Sequence, residues 1–269
     1  MDRTSLILEI FARRAKTREA KLQVELARMQ YMLPRLIGLN ESMAQQTGGV
    51  GTTTRGAGEK ALELDRRQLE RKIYELNKEL ESISNERKIQ SKKRNKSKLP
   101  TVALVGYTNS GKSTLMNALL DLARKPSTKK VLEKDMLFAT LDTSVRKISL
   151  PGSRDFLLSD TVGFVNNLPH SLVKAFRSTL EEVVTADVLL HIVDVSDPDY
   201  EQQVKVTDKT LQEIGAENTP VIYVFNKIDL NPDYNTHMNV NNKVFISARG
   251  KIGLEYLLDR INRELFKEY

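Results

Sequence analysis

The sequence predicts an α/β chain: a mostly parallel sheet with helices on both faces, preceded by an α-helical hairpin of coiled-coil type. Three observations predict it. From Leu99 onward, strand-like apolar runs alternate with helix-period segments, and only one strand hairpin interrupts them. Earlier, two Leu/Ile seams at helical spacing flank a Gly- and Thr-rich stretch. Charge divides at the same place. Residues 1–98 hold 22 Lys/Arg against 13 Asp/Glu, a balance of +9, and residues 99–269 hold 20 against 22, a balance of −2. The basic character belongs to the first part, which points to a polyanion partner for it.

Length and composition set the outer bounds. The 269 residues suit two domains, 1–98 and 99–269, and a hydrophobic content of 40% gives the second a real core. No apolar run approaches the roughly 18 residues of a membrane helix, so no membrane insertion is expected. No secretory leader is read around Asp2 and Arg3. The absence of Cys excludes disulfides and thiolate metal sites and suits a cytoplasmic protein.

The elements follow in order. Leu22, Leu26, Met29 and Leu33 mark the first helix of the hairpin, and Leu62, Leu69, Ile73, Leu76, Leu80 and Ile83 mark the second. Thr47 to Lys60, "TGGVGTTTRGAGEK", reads as their flexible connection. Arg87 to Lys98 carries seven basic residues and no acid. It reads as a linker or the basic end of the hairpin, serving either as a solvated tether or as a contact for a phosphate backbone.

"LPTVALVG" reads as a buried strand, followed by a helix over about Lys112 to Ala123. "TSVRKISL" and "DFLLSDTVG" flank "PGSR" as a strand hairpin. A helix near Leu172 to Ala186, the strand "VLLHIVDVS" and a helix near Tyr200 to Ile214 come next. The strands "PVIYVFNK" and "KVFISA" and a last helix from about Gly253 complete the chain.

The motifs fall at the carboxyl ends of these strands, where such sheets bind ligands. "GYTNSGKST" comprises Gly106, Tyr107, Thr108, Asn109, Ser110, Gly111, Lys112, Ser113 and Thr114. Gly106 to Ser113 match G-x-x-x-x-G-K-S, between a strand and a helix as a phosphate-binding loop requires. The glycines let backbone N–H groups face phosphates, Lys112 reaches the β and γ oxygens, and Ser113 holds Mg²⁺. The Asn109 carbonyl is a candidate ligand for K⁺, against the alternative of a residue that stabilises the turn.

"DTVG", Asp160, Thr161, Val162 and Gly163, ends the strand expected beside the first. Asp160 is placed on Mg²⁺ through water, and the Gly163 N–H on the γ-phosphate. Related switches put a Gln next to orient the attacking water. Here the next residue is Phe164, so no catalytic residue is assigned. "FATLD", Phe138, Ala139, Thr140, Leu141 and Asp142, is the candidate segment to close over the metal. Thr140 or Thr143 would supply the hydroxyl.

"NKID" supplies base selection. The Asp229 carboxylate can accept two bonds from guanine, and adenine has no such pair of donors, so GTP is favoured over ATP. Asn226 would hold the loop and contact the base, with Lys227 along its face. "SAR", Ser247, Ala248 and Arg249, would give the Ala248 N–H to the guanine O6.

"GYTNSGKSTLMNAL", "LFATLD", "DTVGFVNNLPHSLVKAFRSTLEE", "ADVLLHIVDVSDP" and "NKID" resemble the HflX family of translation-associated GTPases. "DRTSLILEIFARRAKTREAKLQVELA" and "LPRL" resemble the second half of that family's N-terminal domain. The resemblance covers nearly the whole chain. It implies a P-loop GTPase domain that binds GTP and GDP with Mg²⁺, and it favours Thr140 over Thr143. It also implies a monomeric cytoplasmic enzyme on ribosomes or a membrane surface, which docks on the large subunit and its rRNA and splits or remodels ribosomes.

Two departures stand out. An α/β region is expected before "DRT", and the family's loop G-x-G-T-R-G-P-G-E appears as "GVGTTTRGAGEK", two residues longer and with Ala57 for Pro. No further domain is read after Tyr269. The alternatives are a GTP-gated RNA- or ribosome-binding module with negligible hydrolysis, and a GTPase serving ribosome assembly or tRNA modification.

Overall fold

The computed structural model describes residues 2–46, 55–95, 99–123, 144–149, 154–164, 177–238, 240 and 242–266. They divide into two compact units, one running to Ser91 and one starting at Lys92.

The first unit is helical and has three helices where the seams suggested two: α1 (Arg3–Arg14), α2 (Arg18–Gln46) and α3 (Arg55–Asn95). A side-chain cap marks the start of α1 and of α2. Asp2 caps α1 by accepting from the Ser5 N–H at 2.9 Å, and Thr17 Oγ1 accepts from the Ala20 N–H at 3.1 Å at the start of α2. Ile7, Leu8 and Phe11 of α1 are buried, as are Val24, Leu26 and Ala27 of α2. Arg18 pairs with Glu79, and Lys72 with Glu25 at 2.9 Å. These two pairs lie seven residues apart on each helix and run in opposite senses, so α2 and α3 are antiparallel. Being largely exposed, they fix register more than they add stability.

One expectation changes here and one is narrowed. The connection read as Thr47 to Lys60 is shorter, because α3 begins at Arg55 and runs through Gly56 and Gly58. The basic segment is helical to Asn95, so most of it is the basic end of the hairpin rather than a linker, one of the two readings the sequence offered. Residues 96–98 lie outside the described residues.

The second unit carries a six-stranded sheet in the order β2-β3-β1-β4-β5-β6. The strands are β1 (Thr101–Gly106), β2 (Ser144–Ile148), β3 (Phe156–Asp160), β4 (Val188–Asp194), β5 (Val221–Asn226) and β6 (Lys243–Phe245). Only the β2–β3 pair is antiparallel. The helices are α4 (Lys112–Leu122), α5 (Arg177–Val184), α6 (Tyr200–Glu213) and α7 (Leu254–Leu265). α5 is described from Arg177 onward, and residues 165–176 before it lie outside the described residues.

Burial explains the arrangement. β1 and β4 are covered on both faces, so their apolar runs are continuous rather than alternating. α7 buries Leu254, Leu257, Leu258 and Ile261, a single stripe at helical spacing. At about 1.5–3 kcal/mol for each buried side chain, this stripe contributes on the order of 6–12 kcal/mol before entropy is counted. From β1 the chain moves to β3 and β2 on one side, then returns to β4, β5 and β6 on the other. The loop after β1 lies at that reversal, the usual position for a ligand.

Candidate functional site

The phosphate-loop sequence leaves β1 at Gly106, whose φ is 143°. A Cβ there would collide with the Ile192 carbonyl of β4, so only glycine fits. The loop turns through Asn109 (φ 64°) and Gly111 (φ 97°) into α4. No side chain caps α4, which leaves its first-turn N–H groups for an anion. Lys112 is buried and lies along the loop, with Nζ donating to the Gly106 carbonyl at 3.1 Å and the Tyr107 carbonyl at 2.7 Å. Burial lowers its pKa to about 8, and the charge of Asp160 works against that shift.

The "DTVG" loop leaves β3 beside β1, with Asp160 in register with Leu104. Asp160 is fully buried and its Oδ2 accepts from Ser113 Oγ at 2.7 Å. Thr161 Oγ1 donates to the Leu104 carbonyl at 2.5 Å. The Phe164 N–H donates to the Gly106 carbonyl at 3.1 Å, and its own carbonyl accepts from the Thr108 N–H at 2.8 Å. Phe164 thus extends the β1–β3 ladder into the phosphate loop, and it is only 2% exposed. Gly163 lies against the same loop. A Cβ on it would lie 2.7 Å from Thr108 Cα and 3.0 Å from Lys112 Nζ.

The loops expected to select the base are linked at Asn226, the last residue of β5. Its Nδ2 donates to the Ser110 carbonyl at 2.9 Å and its Oδ1 accepts from the Ala248 N–H at 2.9 Å. One buried side chain therefore joins the phosphate loop, "NKID" and "SAR". The Ala248 N–H, expected on a base carbonyl, is engaged by Asn226 here, so a base would have to share it. Ser247 is buried and its Oγ accepts from the Gly250 N–H at 2.9 Å, which shapes the loop. Asp229 and Arg249 are exposed. Lys227 adopts φ 68° and its Nζ lies 2.6 Å from Asp194 Oδ2.

The structure brings together Gly106 to Thr114, Asp160 to Phe164, Asn226 and Ala248. Phe138 to Asp142, with Thr140, and its competitor Thr143 lie outside the described residues. Sequence reasoning missed Asp194, although an Asp at the carboxyl end of a buried strand was a usable signal. The Ser113 hydroxyl and Asp160 carboxylate form a hard-oxygen pair of the type Mg²⁺ accepts, so these residues fit the metal. Among the described residues no cluster of three His, Asp or Glu side chains forms a separate metal site.

Comparison with known proteins follows the same division. Residues 14–94 match the family described as GTP-binding GTPase Middle Region, and residues 101–227 match the 50S ribosome-binding GTPase family. The GTPase HflX of Caldanaerobacter subterraneus is 50% identical over 271 aligned residues, covering all of this chain and 60% of that protein. The Escherichia coli GTPase HflX is 40% identical over 273, covering all of this chain and 62% of that protein.

The chain belongs to the HflX family.

It spans about 60% of the length of these family members. Among solved structures, a GTP-binding protein of Sulfolobus solfataricus in complex with GDP aligns with a TM-score of 0.56 and 27% identity, covering 98% of this chain and 72% of that one. The family thus accounts for both parts, the α/β unit as a P-loop GTPase domain and the helical unit as the segment before it. Among the described residues, no helix is long and apolar enough to cross a membrane.

Proposed function

We propose that this chain binds GTP and GDP with Mg²⁺, hydrolyses GTP slowly by itself, and acts in the cytoplasm on the large ribosomal subunit. The observation that carries the nucleotide reading is Asn226. Its two hydrogen bonds tie the phosphate loop to the "SAR" turn, which supports a reading in which phosphate and base subsites act as one unit. Ser113 and Asp160 would hold Mg²⁺, which neutralises phosphate charge when bound. Asp229 would select guanine, and Lys112 would neutralise the β and γ oxygens. Thr140 is proposed as the third oxygen toward the metal. Asn109 is proposed to bring K⁺ against the phosphates, and equal turnover in K⁺ and Na⁺ would remove that role.

Ribosome binding rests on the family and on the charge of residues 1–98. About two-fifths of the first relative compared lies outside the matched region, so this chain's own action on ribosomes is tested directly. The experiment is GTP turnover with and without purified large subunits. Stimulation supports the reading, and identical rates with no co-sedimentation sink it. A second reading, a GTP-gated RNA-binding module with negligible hydrolysis, has one observation in its favour. The residue after Gly163 is a buried Phe with no polar side-chain atom to orient water. Subunit binding that requires GTP, without any increase in turnover, would select that reading.

A further inference from the structure

The Lys227 side chain is held by a carboxylate outside the loops assigned to phosphate and base. Asp194 ends β4 and stands beside Asn226 across the β4–β5 ladder. Its Oδ2 lies 2.6 Å from Lys227 Nζ, with the Asp194 side chain 13% exposed and that of Lys227 24%. Its Oδ1 accepts from the Ser196 N–H at 3.0 Å and from Ser196 Oγ at 2.5 Å. Those two bonds fix the plane of the carboxylate. The same turn is stitched to "NKID" through the backbone. The Val195 N–H donates to the Asn226 carbonyl at 3.1 Å, and Asn231 Nδ2 donates to the Val195 carbonyl at 3.0 Å.

Lys227 needs such support. Its left-handed backbone is uncommon for a residue with a Cβ and persists only when neighbours hold it. Its stem is flexible and would otherwise sample many rotamers. A short charge-assisted contact on a largely buried partner removes that freedom before any ligand arrives.

We propose that Asp194, supported by Ser196, is the positioning residue for Lys227, anchoring its ammonium so that the apolar stem forms a preset wall for the guanine ring. The proposal rests on reading this site as a guanine-nucleotide site. It makes the end of β4 a part of base recognition, acting through Lys227 rather than by touching the base.

The test is a double-mutant cycle on the whole chain, read as GDP affinity. Asp194→Asn is expected to weaken GDP binding about tenfold, the scale of one lost charge-assisted bond. Lys227→Met keeps an apolar stem and removes the ammonium. In that background Asp194→Asn is expected to change affinity less than about twofold, because its target is gone. Independent losses that multiply would mean that Asp194 only braces the loop, and would overturn the proposal. So would an unchanged affinity in Asp194→Asn alone.

Two controls keep these outcomes separable. If Asp194→Asn unfolds, Ser196→Ala decides, with a weaker loss that again vanishes beside Lys227→Met. If the unaltered chain fails to bind GDP, or if Asp229→Asn leaves GDP affinity unchanged, the guanine-site reading itself falls and takes the proposal with it. Normal binding there, with an additive cycle at Asp194, overturns the proposal alone.

Discussion

Replacing Asn226 with Ala removes one side chain from three loops at once. Asn226 is 2% exposed, and its neighbours Ser110 and Ala248 are equally buried. The Ser110 carbonyl would lose its donor and the Ala248 N–H its acceptor, each bonded now at 2.9 Å. A buried polar group left unpaired costs about 1–3 kcal/mol, so the pair costs about 2–6 kcal/mol, less if water enters the vacated space. At about 2–4 °C per kcal/mol for a domain of this size, the midpoint of the empty protein should fall by roughly 4–24 °C. GDP affinity should fall about 10- to 100-fold, because both subsites loosen together. Titration calorimetry with GDP and thermal unfolding of the empty chain measure the two effects. Asn226→Asp separates the arms: it keeps an acceptor for Ala248 but sets a carboxylate oxygen against the Ser110 carbonyl. An Asn226→Ala chain with GDP affinity within about twofold and an unchanged midpoint would refute the reasoning.

Gly163→Ala places a methyl 2.7 Å from Thr108 Cα, a backbone atom that cannot swing aside. It should cost about 1–3 kcal/mol and weaken GTP more than GDP, which competition binding and thermal unfolding would show or deny. Lys112 carries a pKa lowered to about 8 from 10.5, so between those values the unfolded chain holds more protons than the native one. The contribution of this group to the stability of the empty protein therefore rises with pH across that window and is flat below it. A bound phosphate should raise the pKa again, so GDP binding near pH ~9 should take up a proton and weaken as pH rises; calorimetry in two buffers showing no uptake would contradict this. Neutralising Lys92, Lys93 and Arg94 together should flatten the salt dependence of RNA or ribosome binding by about 0.7–0.9 in log–log slope per lost phosphate contact and leave GTP affinity alone. An unchanged slope would make the end of α3 a structural extension only.

The sheet was legible because its signals are redundant. β1 and β4 are apolar runs with no alternation, which a strand covered on both faces requires, and each ends in a residue type suited to a ligand loop. The phosphate loop was legible because its glycines answer to real collisions, Gly106 against Ile192 and Gly111 against Asn226. The helical unit was less legible. A Leu seam gives helix period but not interruptions, and the start of α2 is marked by one Thr17 hydroxyl that looks like any exposed Thr. The start of α3 was hidden by Gly56 and Gly58, which favour a loop by propensity and are carried in the helix. Asp194 was missed for another reason: its role depends on the cross-strand neighbour of Asn226, and pairing order is not written in local sequence.

Phe164 links this geometry to the proposed slow turnover. Its backbone completes a ladder with Gly106 and Thr108, and its side chain is buried. Burying a Phe side chain contributes about 1.5–3 kcal/mol, so the residue holds the "DTVG" loop against the phosphate loop by packing and hydrogen bonds together. A Gln here would have a polar tip to satisfy, whereas Phe is content inside. On the proposed function, the water-orienting contribution is expected from elsewhere, from the segment around Thr140 or from a docked partner. Phe164→Ala separates anchoring from chemistry. The cavity should cost about 3–5 kcal/mol of stability, because a buried ring is lost. Basal turnover counted per nucleotide-bound molecule, well below the lowered midpoint, should stay within about threefold, because no group that touches water or phosphate is removed. A partner's stimulation should suffer more, since it needs the loop in place to act upon. A fall of about a hundredfold in the basal rate of molecules that still hold GTP would place the ring in the reacting site and end this account.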